Sequence, residues 1–490
     1  MKKNLAKKVT LSILAGAVLM SSSVVWAAPV TQEPTTDGQD GWTKTIFEDE
    51  SYIWHTHGAE IQLSTGTNEP FSSAFNSQDI ASGGKVTISG GMFGIEDNPV
   101  SIYGGFARNG NAINNAVTIS DGTISVNVTG GFSDSGDAKE NTVTISGGTV
   151  TGSFTGGFAK GNDNYYATAT NNTVIISDGT ISGSFIGGYA FKKGNAKENT
   201  VTISGGTVTG NVMGGYSDGG DVTDNTVTIS GGTVTSEDEN NPAIVCGGNS
   251  DEGSVNNNTV EISGGTVTGI VYGGVATGDV EKNTVTISGG TVSGYVAGGF
   301  TSSGNAKENT VTISDGTISG AVFGGLTSSG NATDNTVTIS GGTVTGNVTG
   351  GFSDGDDAIN NTVNISGTAD LEKAFLCGGV GDTVSGNVLN VGVDDDLKSQ
   401  LAAKGITVAV GAWNNEKVKS IAGFDVINFN YINWSNGGNV VETEGLELNN
   451  TTVGKVVIGS GTVKNGEWMN LISATNPVYF SCCLLKFISQ

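Results

Sequence analysis

The sequence predicts an all-β fold: a right-handed, single-stranded parallel β-helix (β-solenoid) of about twelve rungs with N- and C-terminal caps. Three observations carry this expectation. A unit of about 26 residues recurs through the middle of the chain. Within each unit, β-branched residues alternate with polar ones at a period of two, the signature of a strand with one buried face. Glycine takes 79 of the 490 positions, over twice its usual share of about 7 %.

The repeated phrase is Asn-Thr-Val-Thr-Ile-Ser-Gly-Gly-Thr-Val-Thr-Gly. Its leading position falls at 115, 141, 172, 199, 225, 258, 283, 309, 335, 361 and 387, with a degenerate first copy at Gly84. Most intervals are 26 residues; the longest, 31 and 33, place extra polar residues at 162–170 and 236–242, which read as loops on a constant unit. Pro99 and Pro242 both lie in lengthened copies, where a turn tolerates a missing N–H donor.

In the copy beginning at Asn335, Val337 and Ile339 alternate with Thr336 and Thr338, and Gly341-Gly342 reads as a turn. Val344, Gly346 and Val348 then read as one face of a second strand, and a weaker third segment completes the unit. Three segments in one unit make one turn of a three-sided coil. Nothing but Asp394–Lys404 hints at a helix, because β-branched residues and glycine disfavour one. Right-handed winding follows from the strong preference of parallel crossovers.

Stacking turns each position into a column. The column from Val128 through Phe154, Phe185, Val212 and on to Leu376 is never polar, so it is expected to face inward. Four residues further on, Phe132, Phe158, Tyr189, Tyr216, Phe300 and Phe352 are read as an aromatic stack in the core. The asparagines Asn141, Asn172, Asn199, Asn225, Asn258, Asn283, Asn309, Asn335 and Asn361 are expected at a corner, their amides bonded from rung to rung as a ladder.

The flanks differ in composition. Residues 1–27 read as a signal peptide: Lys2, Lys3, Lys7 and Lys8 precede an apolar run from Val9 to Val25, with cleavage expected after Ala27. Residues 28–83 read as leader and N-terminal cap, 84–390 as the repeat β-helix, 391–476 as a C-terminal β region and cap, and 477–490 as an aberrant tail. Trp42, Trp54, Trp413, Trp434 and Trp468 all lie outside the array, where rod ends need covering.

Acidic residues outnumber basic ones by 47 to 22, a formal charge of −25. That argues against nucleic acid as a partner, since phosphate contacts require clustered Lys and Arg. Cys246 and Cys377 share a column five rungs apart, about 24 Å at the spacing of neighbouring strands, so free thiols are expected.

Strings of the form Asn-Thr-Val-Thr-Ile-Ser-Gly-Gly-Thr-Val-Thr-Gly-Asn-Val-x-Gly-Gly-Phe/Tyr resemble the repeats of autotransporter-type passenger proteins of Gram-negative bacteria. Val418–Phe424 with Asp425–Asn430, then Gly466–Ile472, is similar to the stretch that often precedes their barrel, and the resemblance covers about 84–475. It implies export, display at the outer membrane or cell surface, and adhesion to a host or bacterial surface glycan or protein. It also implies an outer-membrane barrel. Val478–Gln490 does not continue the pattern such a barrel requires, so a truncated or frame-disrupted gene is the first expectation and a separately exported passenger the second.

No catalytic residue and no cofactor site can be named from the sequence. The alternative to an adhesive module is a polysaccharide-active β-helix enzyme, a lyase or glycoside hydrolase, which needs a carboxylate pair or an acid beside a cationic base. The nearest candidate is the rung at 225–257, with Ser236–Glu239 and Asn249 in the aromatic column, yet Lys and Arg are missing from it. His55 and His57 form half a metal site without a specified third ligand. The acidic corners Asp134/Asp137, Asp218/Asp221 and Asp354/Asp356/Asp357 have calcium-type donors, but read better as solvated turns. The outward Thr pairs Thr200/Thr202, Thr226/Thr228 and Thr310/Thr312 resemble ice-binding arrays but read better as ordinary strand formers.

Overall fold

The computed structural model describes Val30, Pro34 and residues 42–476, except 47–51, 58–59, 68, 95–100, 163–164, 239, 415 and 465. The expected signal peptide and tail, and Pro99, lie outside the described residues. The chain winds as a three-sided parallel β-solenoid. In a typical unit, Thr310–Ile318 forms the long first side, Val322–Thr327 the second, and Ala332–Thr333 the short third. Each segment pairs in parallel with its counterpart one unit later, for example Val322 with Val348 and Ala332 with Ala358. The third side is a 12-stranded sheet and the second a 17-stranded one.

One boundary within the unit differs from the expectation. Gly341-Gly342 is a jog inside the first side, not a corner: Thr336–Ile339 and Thr343–Val344 both pair with Thr310–Ile318. Gly342 takes φ +74, a left-handed conformation that shifts the strand sideways without turning it into a new sheet. Val344 therefore belongs to the first side and Val348 to the second.

The core is a column-by-column repeat. Val260, Ile262, Val267 and Val271 point inward and are at most 1 % exposed, and the same positions recur in neighbouring rungs. The column from Val128 to Leu376 is wholly buried, Phe154 stacking on Phe185 at 5.2 Å. Where the second and third sides meet, the interior narrows, and a separate core of small residues such as Ala138, Ala169, Ala196 and Ala306 fills it.

At the N-terminal end, Thr43–Ile46 pairs antiparallel with Tyr52–His55 and covers the sheet edge. Trp42 packs edge-to-face on Phe71 over the end of the core. Winding continues beyond the array: Glu416–Ala422, Asn439–Leu446 and Asn470–Asn476 extend the second side. Val453, Val456 and Ile458 of the final described coil are exposed. The helix α1 spans Asp395–Ala402, with Asp394 as its N-cap accepting from the Leu397 N–H at 2.9 Å.

The tight corner before the first side is built from residues that are not glycine. Asn114, Glu140, Asn171, Glu198, Asp224, Asn257, Lys282, Glu308, Asp334 and Asn360 all have φ between 53° and 59°. Gly83 and Gly386 take the same place at the two ends. Left-handed backbone costs a residue with Cβ about 1–2 kcal/mol, and a β-branched side chain suffers most. Asp334→Val is therefore expected to lower stability by about 1–2 kcal/mol. Asp334→Gly is expected to stay within about 0.5 kcal/mol of the parent, relief of strain offsetting the freer unfolded chain. Urea midpoints of the two variants check this.

Candidate interaction surface

The ladder asparagines sit one residue after that left-handed corner, which aims each amide into the coil. Asn141 shows the pattern. Its Oδ1 accepts from the Asn115 N–H at 3.0 Å and from Asn115 Nδ2 at 2.9 Å. Its Nδ2 donates to Asn172 Oδ1 and to the Ala112 carbonyl, both at 2.9 Å. Two donors and two acceptor sites are thus all used. The ladder runs without a break from Asn115 to Asn387, through Asn172, Asn199, Asn225, Asn258, Asn283, Asn309, Asn335 and Asn361. At its far end Asp425 Oδ2 accepts from the Asn387 N–H at 3.0 Å. Every member is at most 1 % exposed.

The Gly-Gly pair in each unit is the complement of that ladder. A Cβ on Gly131 would lie 2.1 Å from Asn141 Oδ1, and one on Gly130 would lie 2.4 Å from the Gly156 carbonyl. The first glycine lets successive rungs approach; the second leaves room for the amide.

The same pair corrects the reading of the aromatic column. Phe132, Phe158, Tyr189, Tyr216 and Phe300 are half-buried on the outer face of the second side, not in the core. Phe352, also outward, belongs to the outer cluster, which is separate from the main core. The pairing register passes from Thr129 to Gly131 and omits Gly130. That unpaired residue, matched by an equally unpaired Gly156 in the next rung, resets the alternation, so Ser133 points in where a regular strand would have placed Phe132. The rings do stack outside: Phe158 on Tyr189 at 4.5 Å and Phe106 on Phe132 at 5.0 Å. A second outward row, including Met213, Tyr272 and Phe323, packs beside them.

Carboxylates at the next corner serve the same surface. Tyr189 and Tyr216 donate to Asp218 and Asp251, each at 2.8 Å. Burial first, then these carboxylate bonds, push both phenols well above their ordinary range. Asp221 Oδ1 accepts from the Ser254 N–H one rung on, at 3.1 Å. Asp137 departs furthest from a solvated turn, being 6 % exposed. It takes Lys139 at 2.7 Å, the Thr168 N–H at 2.8 Å and the Tyr165 hydroxyl at 2.9 Å.

Burial alone would raise the Asp137 carboxyl, but those three donors together hold it below the usual carboxylate value. A carboxylate depressed in the folded state stabilises fully above its unfolded pKa near 3.8. That stabilisation is lost as pH falls through the lower folded value. The prediction is that the peptide 165–170 gains hydrogen exchange as pH drops below about 4, and that Asp137→Asn abolishes the pH dependence.

Other expected features are placed as follows. His55 is 1 % exposed, stacked on Phe75 at 4.4 Å and edge-on to His57 at 4.3 Å, inside the N-terminal end. Among the described residues no group of three or more His, Cys, Asp or Glu is arranged to hold a metal. Cys246 and Cys377 are buried thiols in the outer cluster; burial pushes Cys246 up to about 12. Thr200, Thr202, Thr226 and Thr228 are half-buried on the first side, and Thr310 and Thr312 are buried, all within strands. The two loops occupy different corners. Residues 162–170 join the second and third sides, with Tyr166 lining a cleft that also includes Asp218, and 236–242 join the first and second. Comparison with family models, curated proteins and solved structures returned no match.

Proposed function

We propose that this chain is an exported, surface-displayed rod of the autotransporter-passenger type. It acts as a structural and adhesive module that binds a glycan or protein of a host or bacterial surface without turning it over. The observation that carries this reading is the outward row of half-exposed rings along the second side, flanked by the Tyr189–Asp218 and Tyr216–Asp251 pairs. Half-exposed aromatic side chains on a rigid sheet supply contact area at little entropic cost. The net charge of −25 suits a partner that is not an acidic polymer.

The test is binding of the full chain to glycan arrays and host cells, with product release monitored. Saturable binding without turnover is expected. Replacing Phe132, Phe158 and Phe300 together by Thr, a residue already present on these strands, is expected to weaken it at least about tenfold, with circular dichroism unchanged. Product released from a polymeric glycan, or binding indifferent to the triple substitution, contradicts the reading.

A further inference from the structure

The first side carries a feature that the adhesive reading does not use. Near its C-terminal end the outward Thr column gives way to asparagines, which form a second polar ladder outside the barrel of the coil. Asn364 Nδ2 donates to Thr338 Oγ1 at 3.0 Å, and Asn390 Nδ2 donates to Asn364 Oδ1 at 2.8 Å. Asn428 and Asn430 both donate to Asn390 Oδ1, at 3.0 and 3.1 Å. Asn364, Asn390 and Asn430 are at most 6 % exposed. Helix α1 lies across this row, anchored where Lys455 pairs with its N-cap Asp394 at 2.5 Å. Between helix and ladder is a cleft of about 330 Å³.

We infer that this cleft is a binding site for a neutral monosaccharide unit, free or at the end of a glycan. Three features select that chemistry. The floor presents carboxamides and threonine hydroxyls, groups that both donate and accept and so match the paired hydroxyls of a sugar. Asn430 spends its Nδ2 on Asn390, while its Oδ1 accepts no bond from the described protein and is left for a hydroxyl donor; Asn428 Oδ1 lies against Gly454 of the next rung. Leu397 and Leu401 of α1 supply an apolar wall for the carbon face of the ring. Charge is balanced, Lys404 and Lys455 standing against Asp394 and Asp396, which favours an uncharged ligand over an anion or a cation. Small-molecule clefts run from about 300 to 1,000 Å³, so this one has room for a single ring and not for a chain. The site is on the first side and its existence does not depend on adhesion through the second.

The test is ligand-observed NMR and calorimetry on the full chain with the methyl glycosides of glucose, galactose and mannose as probes. Saturable binding of at least one is expected. Gln400→Trp, at an exposed helix position lining the cleft, is expected to abolish it. Asn430→Leu, which removes an acceptor, is expected to weaken it about tenfold. The Phe132, Phe158 and Phe300 triple variant is expected to bind the same sugar unchanged, which separates this site from the adhesive face. No saturation with any of the three probes, unaltered affinity in Gln400→Trp, or displacement of the sugar by inorganic sulfate overturns the inference.

Discussion

Asn309→Ala is expected to destabilise the rod by at least about 3 kcal/mol, an effect that no conservative surface exchange would approach. The reason is the number of buried partners it strands. Asn309 Oδ1 accepts from the N–H and the Nδ2 of Asn283, and its own Nδ2 donates to the Val280 carbonyl. All three groups lie where water does not reach, Asn283 being 0 % exposed. Each unsatisfied buried group costs about 1–3 kcal/mol. Solenoid stability sums over neighbouring units, so the loss is expected to be local. Hydrogen exchange should rise in the rungs beginning at 283 and 309 and fade within one or two rungs on either side. A urea midpoint within error of the parent would show that the amide is dispensable.

Gly157→Ala is expected to be comparably severe, through the same ladder. A methyl there would lie 2.1 Å from Asn172 Oδ1 and 2.3 Å from its Cγ. That distance demands movement of an amide fixed by Asn141 N–H and Nδ2 at 3.1 and 2.9 Å. The informative experiment is a double-mutant cycle with Asn172→Ala. Removing the amide also removes the clash, so the double variant should lose less than the sum of the singles, by at least about 1 kcal/mol. Additive losses would mean that glycine is needed at 157 for some reason other than the ladder.

How far the sequence could be read follows from which features are local. Period-two alternation and a fixed repeat translate directly into inward columns, so the buried positions from Val128 to Leu376 and the parallel stacking were legible. The asparagine corner was legible too, because an amide repeated at one place in every unit has an identical partner one rung away. Phe132 and its counterparts were misplaced because counting by twos fails across a residue left out of the ladder, and Gly130 is such a residue. The signal was present in hindsight: two adjacent glycines inside a strand mark a bulge or a close backbone approach. The jog at Gly342 misled for a related reason, since a glycine with positive φ can bend a strand without ending it.

Other features have no local signature at all. Glu198, Lys282 and Asp334 occupy left-handed backbone although nothing in their chemistry requires it; only the adjacent ladder explains the conformation. The buried hydroxyl of Ser217 closes the next corner, donating to the Gly194 carbonyl at 2.7 Å and accepting from the Gly220 N–H at 2.8 Å. In sequence that serine is one polar residue among many. The cleft beneath α1 joins Thr336 and Thr362 to Asn428, Asn430 and Lys455, a juxtaposition that only the winding of the last rungs creates.

The claim on which the rest stands is that one repeat advances one strand spacing along a common axis. Ser120, Ser204, Ser288 and Ser314 occupy the same exposed place in their units, which makes them sites for paired spin labels after Cys482 and Cys483 are replaced by Ser. Electron–electron distance measurements from position 120 to positions 204, 288 and 314 should give about 14, 29 and 34 Å, about 4.8 Å for each unit crossed. Distances that do not grow in proportion to the number of units between the labels would contradict the account.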